Sequence, residues 1–224
     1  MRAAYLVPVA DAQVTLANLD LRDTADDAIV ARWLADTLVG AFARTQEPLA
    51  ITVPGGSTPF PIIERLLREP LPWERLVVWP NDDRMVPEDH EASNTGKLRA
   101  LFEPAGAQVA PLTVMEKVPH FALAWLGMGA DGHIASLFPN TDPQADEGKS
   151  VLRITPDPLP PEAPFDRVTL TIPALLASDD IVIVARGSQK RAVLNAAANG
   201  ENDLPVARFL EAADEAGRSV TVFT

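Results

Sequence analysis

Hydrophobic and polar positions follow two different spacings along the chain. Short apolar runs bounded by turn residues are typical of buried strands, and they occur at 48–53, 75–80, 120–127, 167–172, 180–185 and 218–223. Apolar residues at helical spacing lie between these runs and predict helices at 26–42, 60–69, 93–102 and 188–199. Ser93 is placed to cap the third of these helices.

The order of these elements predicts the fold class. Strands alternate with helices, and the strands are apolar throughout, which favours a parallel sheet covered on both faces. We therefore expect a three-layer α/β/α fold with a mostly parallel, Rossmann-like sheet, in a single domain over residues 1–224. The proline-rich segment 155–166 is read as an extended surface loop rather than an interdomain linker.

Composition narrows the class of protein. A chain of 224 residues that is 47% hydrophobic is long enough and apolar enough for a substantial core. Because it has no long apolar run and no signal-peptide pattern at its start, we expect a soluble, cytoplasmic protein. The absence of cysteine excludes disulfides, thiolate metal sites and cysteine nucleophiles.

The net charge of −12 limits the kinds of ligand and macromolecule that the protein can bind. A nucleic-acid binder needs a basic face to neutralise phosphates, and the chain has no dense run of lysine or arginine. Any anionic ligand must therefore meet a local group of positive charges. We expect no nucleic-acid or membrane partner.

The segments that follow the strands carry the candidate chemistry. In an open α/β sheet, ligands bind beyond the carboxyl ends of the strands. Polar or glycine-bearing segments occupy those positions at 54–58, 81–84, 127–133 and 187–190. Of the three histidines, only His133 lies in such a segment, because His120 begins its strand and His90 lies in an acidic loop.

The segment 126–139, LGMGADGHIASLFP, also fits the G-x-G-x-x-G spacing of a dinucleotide-binding turn. Two features argue against that interpretation. Asp131 and His133 fall inside the turn, where a pyrophosphate requires small neutral residues, and Pro139 interrupts the helix that should follow. The segment is better interpreted as a catalytic loop. Among the candidate functions, a nicotinamide-dependent enzyme is the least favoured.

The turn after the first predicted strand is a candidate phosphate cradle. Gly55 and Gly56 allow close approach of backbone N–H groups, Ser57 and Thr58 add hydroxyl donors, and a helix N-terminus follows. The turn is not a Walker A loop, since no G-K-[ST] follows. An ordinary strand-to-helix turn is the alternative.

The charged candidates each have two interpretations. Arg84 can clamp a phosphate or stabilise an oxyanion, and Asp82 can orient a sugar hydroxyl or that arginine, but such clusters are often solvated surface. Lys190 can supply positive charge from the first turn of its helix, or can simply face solvent. His133 can act as a base, because an imidazole is largely neutral near pH 7, or can satisfy loop hydrogen bonds.

Taken together, the segments resemble the 6-phosphogluconolactonase family. The matching pieces are VPGGSTP (53–59), DDRMVPEDHEASN (82–94), LGMGADGHIASLFP (126–139), DRVTLTIPALLAS (166–178) and GSQKRAVL (187–194). The sequence departs from the family pattern at Asp83, where glutamate is usual, and at Pro54, where serine is usual. Segment 155–166 also differs, although Arg167 aligns.

The resemblance implies hydrolysis of 6-phospho-D-glucono-1,5-lactone in the oxidative pentose phosphate pathway, with no cofactor and no metal. It implies that His133 activates water, and that Asp131 orients the His133 ring or shapes the loop. It further implies positive charge around the substrate phosphate, for which Arg84, Arg167 and Lys190 are the candidates. A sugar-phosphate isomerase or deaminase, which shares the fold, and a non-catalytic sugar-phosphate binder remain as alternatives.

Overall fold

A computed structural model describes residues 18–115, 117–159 and 163–224, and in these ranges the chain forms ten strands and six α-helices. The strands are β1 (Leu19–Arg22), β2 (Leu49–Val53), β3 (Leu76–Pro80), β4 (Asp82–Arg84), β5 (Gln108–Val109), β6 (Phe121–Gly127), β7 (Val151–Ile154), β8 (Arg167–Leu170), β9 (Ser178–Val184) and β10 (Val220–Phe223). The helices are α1 (Asp27–Arg44), α2 (Pro59–Leu66), α3 (Asn94–Phe102), α4 (Ile172–Leu176), α5 (Ser188–Ala198) and α6 (Pro205–Glu215).

Seven strands form a central sheet in the order β1-β10-β9-β6-β2-β3-β5, and all its pairings are parallel. Adjacent residues of β6 face opposite sides of this sheet. Leu123 and Trp125 join a cluster with α1, α2 and α3, whereas Ala124 and Leu126 join a cluster with α4, α5 and α6. The predicted three-layer α/β/α class with a mostly parallel sheet is therefore confirmed.

The prediction for 167–172 needs a correction. These residues do not extend the central sheet, because β8 pairs antiparallel with β4 and β7 in a separate three-stranded sheet. The strand also ends earlier than expected. Thr171 caps the short helix α4 by accepting a hydrogen bond from the N–H of Ala174, and Pro173 lies in the first turn of that helix.

The other predicted elements lie close to their expected positions. The four predicted helices correspond to α1, α2, α3 and α5, and Ser93 caps α3 by accepting a hydrogen bond from the N–H of Gly96. The pattern missed β1, β4, β5, β7, α4 and α6. For α6 a signal was present, since Val206, Phe209, Leu210 and Ala213 recur at helical spacing and are buried.

Segment 155–166 joins β7 to β8, and these two strands pair with each other in the small sheet. None of the described helices combines the length and the apolar composition that a membrane span needs. The expectation about the chain start falls on residues 1–17, which lie outside the described ranges. The single domain over 1–224 stays a prediction for the same reason.

Candidate active site

A cavity of about 350 Å³ opens at the carboxyl ends of β2, β3, β6 and β9. Nine predicted site residues line it: Gly55, Gly56, Ser57, Thr58, Asp82, Arg84, His133, Arg167 and Lys190. The tenth, Asp131, does not line the cavity but contacts His133. His120 lies at the opposite end of β6, where its Nε2 is 2.7 Å from Asp179 Oδ1. The segments that follow these strand ends therefore border one cavity.

His133 is held on two sides. Its Nδ1 lies 2.6 Å from Asp131 Oδ1, and its backbone N–H donates to the same oxygen at 3.3 Å. The Phe138 ring packs against the imidazole, with centroids 4.8 Å apart. The hydrogen bond from His133 lowers the pKa of Asp131, so the carboxylate stays ionised. With Nδ1 donating to Asp131, Nε2 is left to accept a proton, and it bonds to no described residue.

The glycine-rich loop is built around this histidine. A Cβ at Gly129 would lie 2.2 Å from the Nδ1 and Cε1 atoms of His133, so a side chain at that position would displace the imidazole. The loop continues through isolated bridges at Ile134 rather than into a long helix. This is not the geometry of a dinucleotide-binding turn, in which a helix N-terminus meets the pyrophosphate.

Two arginines lie side by side in the small sheet, because Arg84 on β4 is paired in register with Arg167 on the adjacent strand β8. The hydrogen-bond acceptors of both guanidinium groups are neutral. Arg84 donates to Ala92 O and Asn94 Oδ1, and Arg167 donates to the backbone carbonyls of Ala163 and Phe165. Burial, and then the charge of Arg84, lower the pKa of Arg167. Like charges directly opposite each other repel, so the pair favours an anion in the cavity.

Two further groups add to this positive region. Lys190 lies in the first turn of α5, partly exposed, and forms no ion pair within the described part of the chain. The backbone N–H groups of residues 55–58, just before α2, donate no hydrogen bond to any described residue. Unpaired N–H groups at a helix N-terminus are suited to a phosphate or an oxyanion.

The acidic cluster at 82–83 is not solvated surface. Asp82 and Asp83 are 8% and 6% exposed, and they point to different partners because adjacent strand residues face opposite sides. Asp82 accepts a 2.5 Å hydrogen bond from Ser136 Oγ, and burial raises its pKa against the opposing effects of Ser136 and Arg84. Asp82 lines the cavity, as predicted.

Asp83 instead holds the start of α3. Its carboxylate accepts from the N–H groups of Asn94 and Thr95 at 2.6 and 2.9 Å, and from Thr95 Oγ1 at 2.6 Å. A carboxylate is favourable at this end of a helix, where N–H groups lack partners.

Sequence reasoning missed Asn94, Ser136 and Phe138, which also line the cavity. All three lie inside the quoted segments 82–94 and 126–139. Their side chains carry no charge and follow no periodicity, so only their contacts identify them. Asn94 binds Arg84, Ser136 binds Asp82 and Phe138 packs on His133.

Comparison with known proteins identifies the family. The family model described as glucosamine-6-phosphate isomerases/6-phosphogluconolactonase matches residues 25–115 and 103–218. A 6-phosphogluconolactonase of Caulobacter vibrioides is 34% identical over 219 residues, covering 86% of this chain and 88% of that protein. One of Pseudomonas aeruginosa is 34% identical over 231 residues, covering 88% of this chain and 93% of that protein.

A solved structure agrees at the level of the fold. A 6-phosphogluconolactonase from Shewanella baltica superposes with a TM-score of 0.77 at 24% identity, covering 94% of this chain and 98% of that one. Fold and cavity together define an α/β enzyme of the sugar-phosphate isomerase and lactonase class. Within that class, the chain belongs to the 6-phosphogluconolactonase family, as its motifs predicted.

Proposed function

We propose that the chain hydrolyses 6-phospho-D-glucono-1,5-lactone to 6-phosphogluconate, a reaction of the oxidative pentose phosphate pathway. One observation carries the proposal. His133, held by Asp131 at 2.6 Å, lines a cavity that also contains three cationic side chains without carboxylate ion pairs among the described residues. A general base beside an anion site is what hydrolysis of a phosphorylated lactone requires.

In this mechanism His133 acts first as base and then as acid. Its Nε2 removes a proton from water while the water oxygen attacks C1 of the lactone. The tetrahedral intermediate then collapses, the bond from C1 to the ring oxygen breaks, and the imidazolium returns the proton to that oxygen. The lactone carbonyl is already electrophilic, so the proposal uses neither a metal nor a covalent intermediate.

Asp131 acts through the imidazole. Its carboxylate keeps the proton of the neutral ring on Nδ1 and stabilises the imidazolium that forms when Nε2 takes a second proton. We expect Asp131→Asn to lower kcat with little effect on KM, because the change alters the base and leaves the phosphate site intact. Equal changes in kcat and KM would contradict the assignment of Asp131 to the base rather than to the phosphate site.

The remaining groups bind the substrate. Arg84, Arg167 and Lys190 supply positive charge for the phosphate, and the N–H groups of the 55–58 turn stabilise the oxyanion. Asp82, buried beside Ser136, orients a sugar hydroxyl. We expect Arg84→Ala mainly to raise KM, and unchanged kinetic constants would exclude this residue from the site.

A coupled assay tests the activity and the base together. Glucose-6-phosphate dehydrogenase generates the lactone, 6-phosphogluconate dehydrogenase consumes the product, and the second phase of NADPH formation is followed. We expect the wild-type chain to accelerate this phase above spontaneous hydrolysis. His133→Ala should remove about 10²–10⁴-fold of the catalysed rate while 6-phosphogluconate still binds.

His120 offers a matched control, because it also pairs with an aspartate, Asp179, but at the opposite edge of the sheet. His120→Ala should leave the rate unchanged. If the folded wild-type chain gives no acceleration, the lactonase proposal fails, and tight binding of 6-phosphogluconate without turnover would indicate a sugar-phosphate binder. Full activity in His133→Ala would refute the base assignment.

A further inference from the structure

Asn94 lies between two parts of the cavity and takes no part in the reaction described above. It is the first residue of α3, is 1% exposed and lines the cavity. Its Oδ1 accepts a 2.7 Å hydrogen bond from Arg84 Nη1, and its Nδ2 donates to the carbonyl of Asp82 at 2.8 Å. Its backbone N–H is held by Asp83. The side-chain amide is therefore fixed at both ends.

The same amide lies directly against the 55–58 turn. A Cβ built on Gly55 would be 2.1 Å from Asn94 Oδ1 and 2.3 Å from its Cγ, well inside van der Waals contact. Glycine at position 55 is what allows the turn and the amide to approach this closely. One side chain thus contacts both the arginine and the turn.

The neutrality of the amide has a consequence for Arg84. Its other acceptor is the backbone carbonyl of Ala92, and its Nε is buried without a partner among the described residues. Neutral acceptors orient a guanidinium and leave its charge available, whereas a carboxylate in the same place would neutralise it.

We propose that Asn94 is the positioning residue of the anion site: its neutral amide aims the charged guanidinium of Arg84 into the cavity and sets the position of the 55–58 turn beside it. The inference rests on the proposed phosphorylated substrate. Asn94 acts through Arg84 and Gly55 and does not touch the reacting atoms.

The first test changes the charge of Asn94 while keeping its shape. Asn94→Asp keeps an oxygen beside Arg84 but compensates the charge of the guanidinium and removes the donor to the Asp82 carbonyl, and Asn94→Ala removes both contacts. Both should raise KM and the Kd of 6-phosphogluconate about tenfold or more, because a hydrogen bond to a charged group is involved, with a much smaller change in kcat. If Asn94 only supported the start of α3, the folded variants would lose stability but would keep the wild-type KM and the wild-type Kd of 6-phosphogluconate. Exposed Asn195 on α5 provides the control Asn195→Asp, which should change neither constant.

The second test is a double-mutant cycle between Gly55 and Asn94. Gly55→Ala should weaken binding in the wild-type background because its Cβ collides with the amide. In the Asn94→Ala background the collision is gone, so the combined effect on Kd should be clearly smaller than the product of the two single effects. Gly40→Ala is the control, since its Cβ would meet nothing closer than 3.9 Å. If the effect of the double variant on Kd equals the product of the two single effects, the proposed contact between Gly55 and Asn94 does not matter for binding and the inference is overturned.

Calorimetric binding of 6-phosphogluconate and of inorganic phosphate separates this inference from the proposed function, because neither measurement requires turnover. Wild-type binding without lactone hydrolysis would defeat the lactonase proposal, and the Kd values of the variants would still decide the role of Asn94. An unchanged Kd in both Asn94 variants would overturn the inference. Circular dichroism checks that each Asn94 variant folds. If one does not, the test rests on Gly55→Ala, and an unchanged Kd in Gly55→Ala would overturn the inference.

Discussion

At the scale of residues, three consecutive positions take three different functions. Asp82 lines the cavity beside Ser136, Asp83 turns away to hold α3, and Arg84 returns to the cavity. The alternation follows from the pleat of β4, which sends neighbouring side chains to opposite faces. The charge pattern alone left open whether the cluster was solvated surface, and the burial of Asp82 and Asp83 shows that it is not.

Asp82 should make stability depend on pH. Burial raises its pKa above 3.8, so the folded state disfavours the ionised carboxyl. The stability that Asp82 contributes is complete below 3.8 and is lost as pH rises through the higher pKa of the folded state. In Asp82→Asn this loss should disappear, so the variant should gain stability relative to the wild type as pH rises above 3.8.

Urea unfolding over a series of pH values measures this difference. Asp146→Asn, at an exposed position, serves as the control and should follow the wild-type curve. A constant difference between Asp82→Asn and the wild type at all pH values would contradict the assignment.

At the scale of elements, β4 and α3 build one wall of the cavity through Asp83. Asp83→Ala would leave the buried N–H groups of Asn94 and Thr95 and the hydroxyl of Thr95 without their acceptor. We expect a loss of about 2–4 kcal/mol in the free energy of unfolding, because unsatisfied buried donors are costly. Chemical denaturation followed by circular dichroism measures it.

Ser93→Ala provides the comparison within the same helix start. Ser93 Oγ accepts one hydrogen bond from the N–H of Gly96 and donates a long one, at 3.3 Å, to Asp83, so Ser93→Ala should cost only about 1 kcal/mol. If both variants lost the same stability, Asp83 would be an ordinary cap rather than the main support of α3.

Elements with a clear period were predictable, and those without one were not. The central strands β2, β3, β6, β9 and β10 are apolar runs, and α1 has a regular apolar face, so local pattern was sufficient. Strand β4 reads Asp-Asp-Arg, which is typical of a loop, and it becomes a strand only because β8 pairs with it. Tertiary pairing there overrides local preference.

At the scale of the whole molecule, the two faces of the central sheet carry separate apolar clusters. Ile51 is 1% exposed in one, and Ile183 is 0% exposed in the other. We propose that both clusters unfold in one cooperative transition, as a single domain would. Ile51→Val and Ile183→Val should each lower the free energy of unfolding by about 1 kcal/mol, and the effects should add in the double variant.

Urea unfolding followed by tryptophan fluorescence and by circular dichroism tests the cooperativity, since coincident curves are expected of a two-state domain. Val39→Ala, at a position 55% exposed on α1, should change stability by less than about 0.5 kcal/mol. Two separate unfolding transitions would show that the two apolar clusters unfold independently of each other.

The sequence by itself determined the α/β class, the order of the central strands along the chain and the edge of the sheet where the candidate site lies. These follow from local spacing and from the rule that strand ends in a parallel sheet meet at one edge, and they selected His133 among three histidines. Only the tertiary structure decided which partners meet. Ser136 reaches Asp82 across 54 positions, Arg84 lies beside Arg167, and Asn94 packs on Gly55. Such contacts depend on how distant segments pack, and no local pattern of polar and apolar residues encodes them.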